Sequence, residues 1–302
     1  MDRAENGKRG ANARGSVCLF IVSMLIFGTV GVLRRSIALP SALLAFARGI
    51  LGGMFLLAFI AWKKRDRGEA PPPGALPRLV LTGAMIGVNW ILLFEAYTHT
   101  TVAVATLCYY MAPTVVMLLS PVFFKERLTA KKAVCAAAAF AGMALVSGVF
   151  GGGADGASPA GVLFGLGAAL FYAAVVILNK KTPGLDPYRR TAVLLLSAGA
   201  VMLPYLLLTK GFSFGGVGLK DVLLLFVLGV VHTGAAYTMY FGSMEGLRVQ
   251  TIAVLSYIDP VSALLFSALL LKEPLGVWNL LGAVMIIGSA LVSELRPPKR
   301  PA

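Results

Sequence analysis

Along the chain the apolar positions neither alternate with polar ones nor recur on one helical face; they gather into long, nearly unbroken runs separated by short polar stretches. Ten runs stand out, at 17–33, 43–62, 79–98, 102–124, 133–150, 161–178, 191–208, 222–241, 251–271 and 275–293. A helix needs about 20 apolar residues to cross a hydrocarbon core of about 30 Å, and these runs are of that length. A membrane barrel would instead show segments of about ten residues with alternating polarity. The pattern therefore predicts an all-α integral membrane protein with ten transmembrane helices.

Composition agrees: 58% of the 302 residues are hydrophobic and only 13% are charged, against roughly 25% charged in a soluble domain. The net charge of +14 invites a nucleic-acid reading until the cations are placed. With the N-terminus in the cytoplasm, 21 of the 27 Lys and Arg fall in inside segments, and five (Arg34, Arg35, Lys210, Lys220, Lys272) fall outside. Arg48 lies within the second helix. This is the positive-inside asymmetry, so both termini are expected to be cytoplasmic in a multi-pass plasma-membrane protein. No basic segment carries interleaved aromatics, so no nucleic-acid partner is expected. The first run is too long for a signal core and is closed by Arg34 and Arg35 with no clear cleavage site, which predicts an uncleaved first helix. Cys18, Cys108 and Cys135 have no metal-like spacing and read as free thiols; neither metal nor cofactor is expected.

Offset by 147 positions, the second half reads over the first without a gap from Phe94 to Leu128. Tyr110 meets Tyr257, Pro113 meets Pro260, Ser120 meets Ser267, and Lys125-Glu126 meets Lys272-Glu273. The weight rests on Tyr-x-x-Pro followed twelve residues later by Lys-Glu in both copies, which marks an internal duplication. Five helices per copy is an odd number, so the second copy enters from the opposite side and the repeats are inverted. The expected organisation is an N-terminal tail (1–15), a first repeat (16–150), a Gly151-Gly152-Gly153 linker region (151–160), a second repeat (161–293) and a C-terminal tail (294–302). Two similar packings of opposite polarity supply one conformation open to each side around a shared midplane site.

On these residues the chain resembles the drug/metabolite transporter superfamily, in particular its EamA-type ten-helix members. The resemblance rests on the two Tyr-x-x-Pro copies, on Glu126 and Glu273 at the start of each copy's last helix, on the Ala/Gly-rich final helices ending Ala141-Gly142 and Gly288-Ser289, and on Arg48 early in the second helix. It implies a central cavity lined mainly by helices 1, 3, 4, 6, 8 and 9. It also implies a small-molecule solute, often exported, drawn from a chemically diverse set; the solute's identity does not carry over.

Ionisable groups at membrane depth cost about 2.5–3.5 kcal/mol or more and need a partner, a wet cavity or a task. Asp259 directly precedes Pro260, which removes a backbone donor and loosens the helix. It is a candidate for coupling transport to protons or for holding a cation or a solute amine; the alternative is a neutral carboxylic acid bonded to a neighbouring helix. His232 is the second coupling candidate, able to share a proton with Asp259 or face a solute, and packing is its plainer reading. Arg48 and Glu95 are expected at similar shallow depth as a structural or gating ion pair, and His99 as an exposed loop residue. Trp90, Tyr110, Tyr237 and Tyr257 are the leading cavity-lining candidates, with Asn89 and Tyr172 beside them. Lys125-Glu126 and Lys272-Glu273 read as structural, a carboxylate at a helix start offsetting the dipole.

These features point to a secondary transporter of a small amino-acid-like or amphipathic metabolite, working by alternating access. Protons are the candidate coupling ion, the lipid bilayer is the surroundings, and the oligomeric state is not legible. A membrane-embedded enzyme would need a nucleophile with its base, a metal cluster or a cofactor site, and the two distant histidines offer none. A lipid flippase or a scaffold is the remaining alternative.

Overall fold

The computed structural model describes residues 2–63, 74–125, 128–146, 158–180, 186–208, 217–244, 247 and 249–294. Over these residues the chain is helical: α1 (Asp2–Gly28), α2 (Val30–Arg35), α3 (Ser41–Trp62), α4 (Ala75–His99), α5 (Val102–Tyr109), α6 (Ala112–Phe124), α7 (Ala130–Val146), α8 (Pro159–Lys180), α9 (Pro187–Leu208), α10 (Leu219–Gly229), a π-helical turn (Val230–Ala235), α11 (Ala236–Met244), α12 (Val249–Leu255), α13 (Ile258–Leu270) and α14 (Val277–Glu294). The pairs α1–α2, α5–α6 and α12–α13, and α10 joined to α11 through the π turn, are single rods with a break, giving ten rods in two sets of five. Seven spans are long and apolar enough to cross a membrane, while Ile258–Leu270 and Val277–Ser293 are shorter. Large apolar side chains such as Val122, Leu163, Leu208 and Val284 stand exposed on the outside of the bundle, which suits a lipid solvent.

Each of the ten apolar runs falls on a rod, and most rods begin two to four residues earlier than their apolar run. The first turns Ser41-Ala42, Ala130-Lys131-Lys132 and Pro187 to Arg190 are too polar or too small to register as hydrocarbon-spanning, yet the backbone is already helical there. The N-terminal tail continues α1 back to Asp2. The Gly151-Gly152-Gly153 join, Glu126 and the segment after Glu294 lie outside the described residues.

The packing obeys the exchange of one repeat for the other. The contact of α4 with α8 has its counterpart in α1 with α11, and that of α5 and α6 with α8 in α1 with α13. Likewise α4 against α9 answers to α3 against α10 and the π turn. Three pairs join equivalent rods directly: α3 with α9, α5 with α13 and α7 with α14. The principal contacts thus run between the copies, and the repeats interleave. The exchange extends to the backbone. Lys125 and Lys272, 147 positions apart, are the non-glycine residues with positive φ among those described, at 57° and 55°, so these two lysines take the same left-handed backbone in both copies.

Where Gly142 of α7 meets Gly282 of α14 there is no room for a side chain at either position. A Cβ on Gly142 would lie 2.9 Å from the carbonyl oxygen of Gly282, and one on Gly282 would lie 2.6 Å from that of Gly142. In lipid, where no hydrophobic force drives helices together, such backbone-to-backbone approach supplies the attraction. Gly282→Val is expected to destabilise the protein by about 1–3 kcal/mol through overpacking, read as a lowered unfolding midpoint in detergent. Gly288→Ala, on the same helix where an added Cβ meets nothing within 4 Å, should leave that midpoint unchanged.

Candidate functional site: a carboxylate and a guanidinium between two broken helices

Matching rods of the two repeats break at matching places. α5 gives way to α6 at Tyr110 and Met111, and α12 gives way to α13 at Ser256 and Tyr257. At each break the backbone tightens: Met111 N–H donates to Cys108 O at 3.1 Å and Tyr257 N–H to Val254 O at 3.2 Å, both three residues back. Pro113 and Pro260 stand in the first turn of the second half-helix, where a missing N–H costs nothing. The repeated Tyr-x-x-Pro is therefore a helix break followed by a restart.

Asp259 lies in the first turn of α13 and is half-buried. The Tyr110 hydroxyl donates to its Oδ2 at 2.5 Å, a bond from the break of one repeat to the break of the other. Helix α1 presses close behind it: a Cβ on Gly28 would collide with Ser262 Oγ and approach Asp259 O to 3.1 Å. Around the carboxylate, Tyr109, Tyr172, Tyr237 and Tyr240 are near enough to interact with it electrostatically. Tyr109 bridges two of its neighbours, its ring 5.8 Å from Tyr110 and 5.4 Å from Tyr172. Tyr172 is 40% exposed although Tyr109 and Asp259 lie near it. Tyr237 and Tyr240 pack on Phe27 at 5.3 and 6.2 Å. Tyr257 is half-buried in the second break.

Arg48, on α3, is 5% exposed. Its guanidinium lies 4.4 Å above the Trp90 ring, and its Nε donates to Thr233 Oγ1 at 2.8 Å. Thr233 passes its own proton to Leu228 O at 2.9 Å, five residues back along the π turn. Arg48 and Asp259 also interact electrostatically across the site.

Several sequence expectations change here. Arg48 and Glu95 do not pair: Glu95 Oε2 lies 3.7 Å from His99 Nε2, while Arg48 points to α4's Trp90 and to the π turn. Equal depth did not bring them to a shared helix face. Asn89 is 1% exposed and its amide donates to Ala168 O of α8 at 2.6 Å, so it braces two helices instead of lining a cavity. Trp90 is 4% exposed and serves as the bed of Arg48. His232 is 8% exposed, with Nε2 at 2.9 Å from Thr29 Oγ1 at the break between α1 and α2 and Nδ1 at 3.3 Å from Val227 O of its own rod; neither nitrogen is bonded to Asp259. His99 ends α4, exposed and stacked on Phe164 at 5.3 Å. Tyr110, Tyr172, Tyr237 and Asp259 are brought together.

Glu273 does serve a helix start, though not that of its own hairpin. Its Oε2 accepts from the Val102 N–H at 2.8 Å, at the first turn of α5, and from Ser267 Oγ; its Oε1 lies 3.3 Å from Arg35 Nη2. Arg35 in turn donates to Thr100 O at 2.6 Å. One carboxylate thus ties together the end of α2, the α4–α5 link and the α13–α14 link. Thr29, Thr233 and this clamp escaped sequence reading because a threonine in an apolar run carries no signal of its own.

Comparison with known proteins agrees with this architecture. The profile of the EamA-like transporter family matches residues 14–148 and, a second time, 159–294. The uncharacterized transporter YxxF of Bacillus subtilis (strain 168) is 26% identical over 291 residues, covering 93% of this chain and 90% of its own. An uncharacterized transporter of Archaeoglobus fulgidus is 29% identical over 274 residues, covering 90% and 94%. Protein PecM of Dickeya dadantii (strain 3937) is 28% identical over 228 residues, covering 74% and 75%. A solved crystal structure shares the fold with a TM-score of 0.64 at 21% identity, over 93% of this chain and 96% of its own. With its duplicated helical core matched along both halves, the protein is a multi-pass membrane protein that belongs to the EamA-like transporter family.

Proposed function

We propose that this protein is a secondary carrier that moves a small amino-acid-like or amphipathic metabolite out of the cell by alternating access, without chemical conversion. In this reading it sits in the plasma membrane with both termini cytoplasmic, and protons drive it through Asp259. The observation that carries the reading is the Tyr110–Asp259 hydrogen bond. It joins the two repeats at their matching helix breaks, where a change in protonation acts directly on the contact between the halves. Tyrosines supply apolar area with a polar handle, suited to a small solute of mixed polarity. The second support is the Glu273 clamp, which fastens the end of the bundle expected to face outward and leaves the site to open toward the cytoplasm.

The central test is flux in liposomes, with and without a pH gradient, from a mixed pool of metabolites. Asp259→Asn is expected to reduce the gradient-dependent component by about tenfold or more while leaving the protein folded. Tyr110→Phe, which removes one hydrogen bond to a carboxylate worth about 1.5–3 kcal/mol, should lower flux and preserve its dependence on the gradient. Gradient-driven flux unchanged in Asp259→Asn would remove Asp259 from coupling. For the clamp, Glu273→Gln is expected to raise the rate at which a membrane-impermeant thiol reagent, applied from outside, labels Tyr172→Cys in a Cys18→Ser background; Cys108 and Cys135 are buried. An unchanged rate would separate Glu273 from gating.

A further inference from the structure

The buried guanidinium of Arg48 is incompletely satisfied. Among the described residues no carboxylate lies within salt-bridge distance of it. Its one hydrogen bond is from Nε to Thr233. Among the described residues the two terminal amines, Nη1 and Nη2, have no hydrogen-bond partner, yet neither is among the fully enclosed polar atoms lacking one, so both reach accessible space. A guanidinium at membrane depth is costly unless something answers its charge, and stacking on Trp90 at 4.4 Å supplies only part of the answer. The support of the group is specific. Trp90 fixes the plane of the fork, and Thr233 holds Nε from a π turn whose irregular geometry is of the kind frequent at functional positions. Both devices leave the outer edge of the fork free, and that edge is the one that recognises carboxylates with two parallel hydrogen bonds. Asp259 and Tyr237 are both near enough to act on Arg48, so the guanidinium belongs to the same central site.

We propose that Arg48 is the anion anchor of the central site, that the transported solute presents a carboxylate to it, and that Thr233 is the positioning residue that aims it. The carrier reading is needed for the word transported; the binding of an anion at Arg48 stands apart from it. The solute's anionic end then lies against α3 and the π turn, and its other end lies toward Asp259 and the tyrosines. A neutral isostere of the carboxylate loses the paired hydrogen bonds and the charge.

Trp90 is one of three tryptophans, the others being Trp62 and Trp278, so full-length protein carrying Trp62→Phe and Trp278→Phe reports on the bed of Arg48 by fluorescence. The probes are amino acids and aromatic carboxylates, each paired with its carboxamide, titrated into protein in nanodiscs. At least one carboxylate is expected to change Trp90 emission saturably, with its carboxamide binding about 10- to 100-fold more weakly. Arg48→Gln should abolish that preference and Arg48→Lys, which keeps the charge and loses the fork, should retain part of it. Thr233→Val should shrink the preference and Thr233→Ser restore it, a pattern that general destabilisation would not produce. Equal binding of carboxylate and carboxamide, a preference that survives Arg48→Gln, or no binding by any carboxylate at millimolar concentration overturns the proposal. Counterflow of the same pairs separates the two readings. Carriage of both members alike sinks the anion anchor and spares the carrier; Arg48-dependent binding without carriage does the reverse.

Discussion

Hydrocarbon tolerates an ionisable side chain only where the protein rebuilds a polar environment for it, and two such groups sit at the heart of this bundle. Arg48 and Asp259 each cost several kcal/mol to hold there without compensation. The helix breaks, the π turn and the tyrosines beside them supply part of it. Thr233, within the π turn, gives Arg48 an acceptor while its own hydroxyl donates to Leu228 O. Tyr110 gives Asp259 a donor because the break at the end of α5 frees its position from helical packing. Continuous, regular helices would offer neither.

Both contacts cross from one repeat to the other. Tyr110 belongs to the first copy and Asp259 to the second; Arg48 belongs to the first and Thr233 to the second. A displacement of one copy against the other therefore acts on both polar contacts at once, which is the mechanical requirement for linking occupancy of a site to the side on which it opens. The backbone of the two copies is nearly equivalent, down to the left-handed Lys125 and Lys272, but the chemistry is divided between them. Ala112 stands where the second copy has Asp259, and α4 runs as a regular helix where the second copy has its π turn. Duplication built the frame, and divergence within it gave the two copies unlike polar groups.

Away from the site, stability rests on approach without side chains. The α7–α14 contact through Gly142 and Gly282 and the closeness of Gly28 to Ser262 let backbones touch, as suits helices that cannot be driven together by exclusion of water. Gly28 also has a bearing on the site, because it lets the end of α1 reach the turn that carries Asp259. At the opposite extreme, Glu273 draws three chain segments together with a single carboxylate.

The sequence by itself determined the membrane fold, the helices and their duplication. Each is written in runs, charges and spacings that lie along the chain, and the thickness of a bilayer and the 147-residue offset translate them directly. It also marked Asp259, Tyr110, Tyr172 and Tyr237 as exceptional, since polar groups in apolar runs are visible one at a time. Partnership was not visible. That Arg48 meets Trp90 and Thr233 and misses Glu95, that Asn89 braces α8, and that His232 faces Thr29 depend on how helices rotate about their axes when packed. A rotation of 100° per residue turns a neighbouring position to another face while leaving depth in the membrane almost unchanged. Depth is a property of the chain and can be read from it; facing is a property of the assembled bundle, and only tertiary structure decided it.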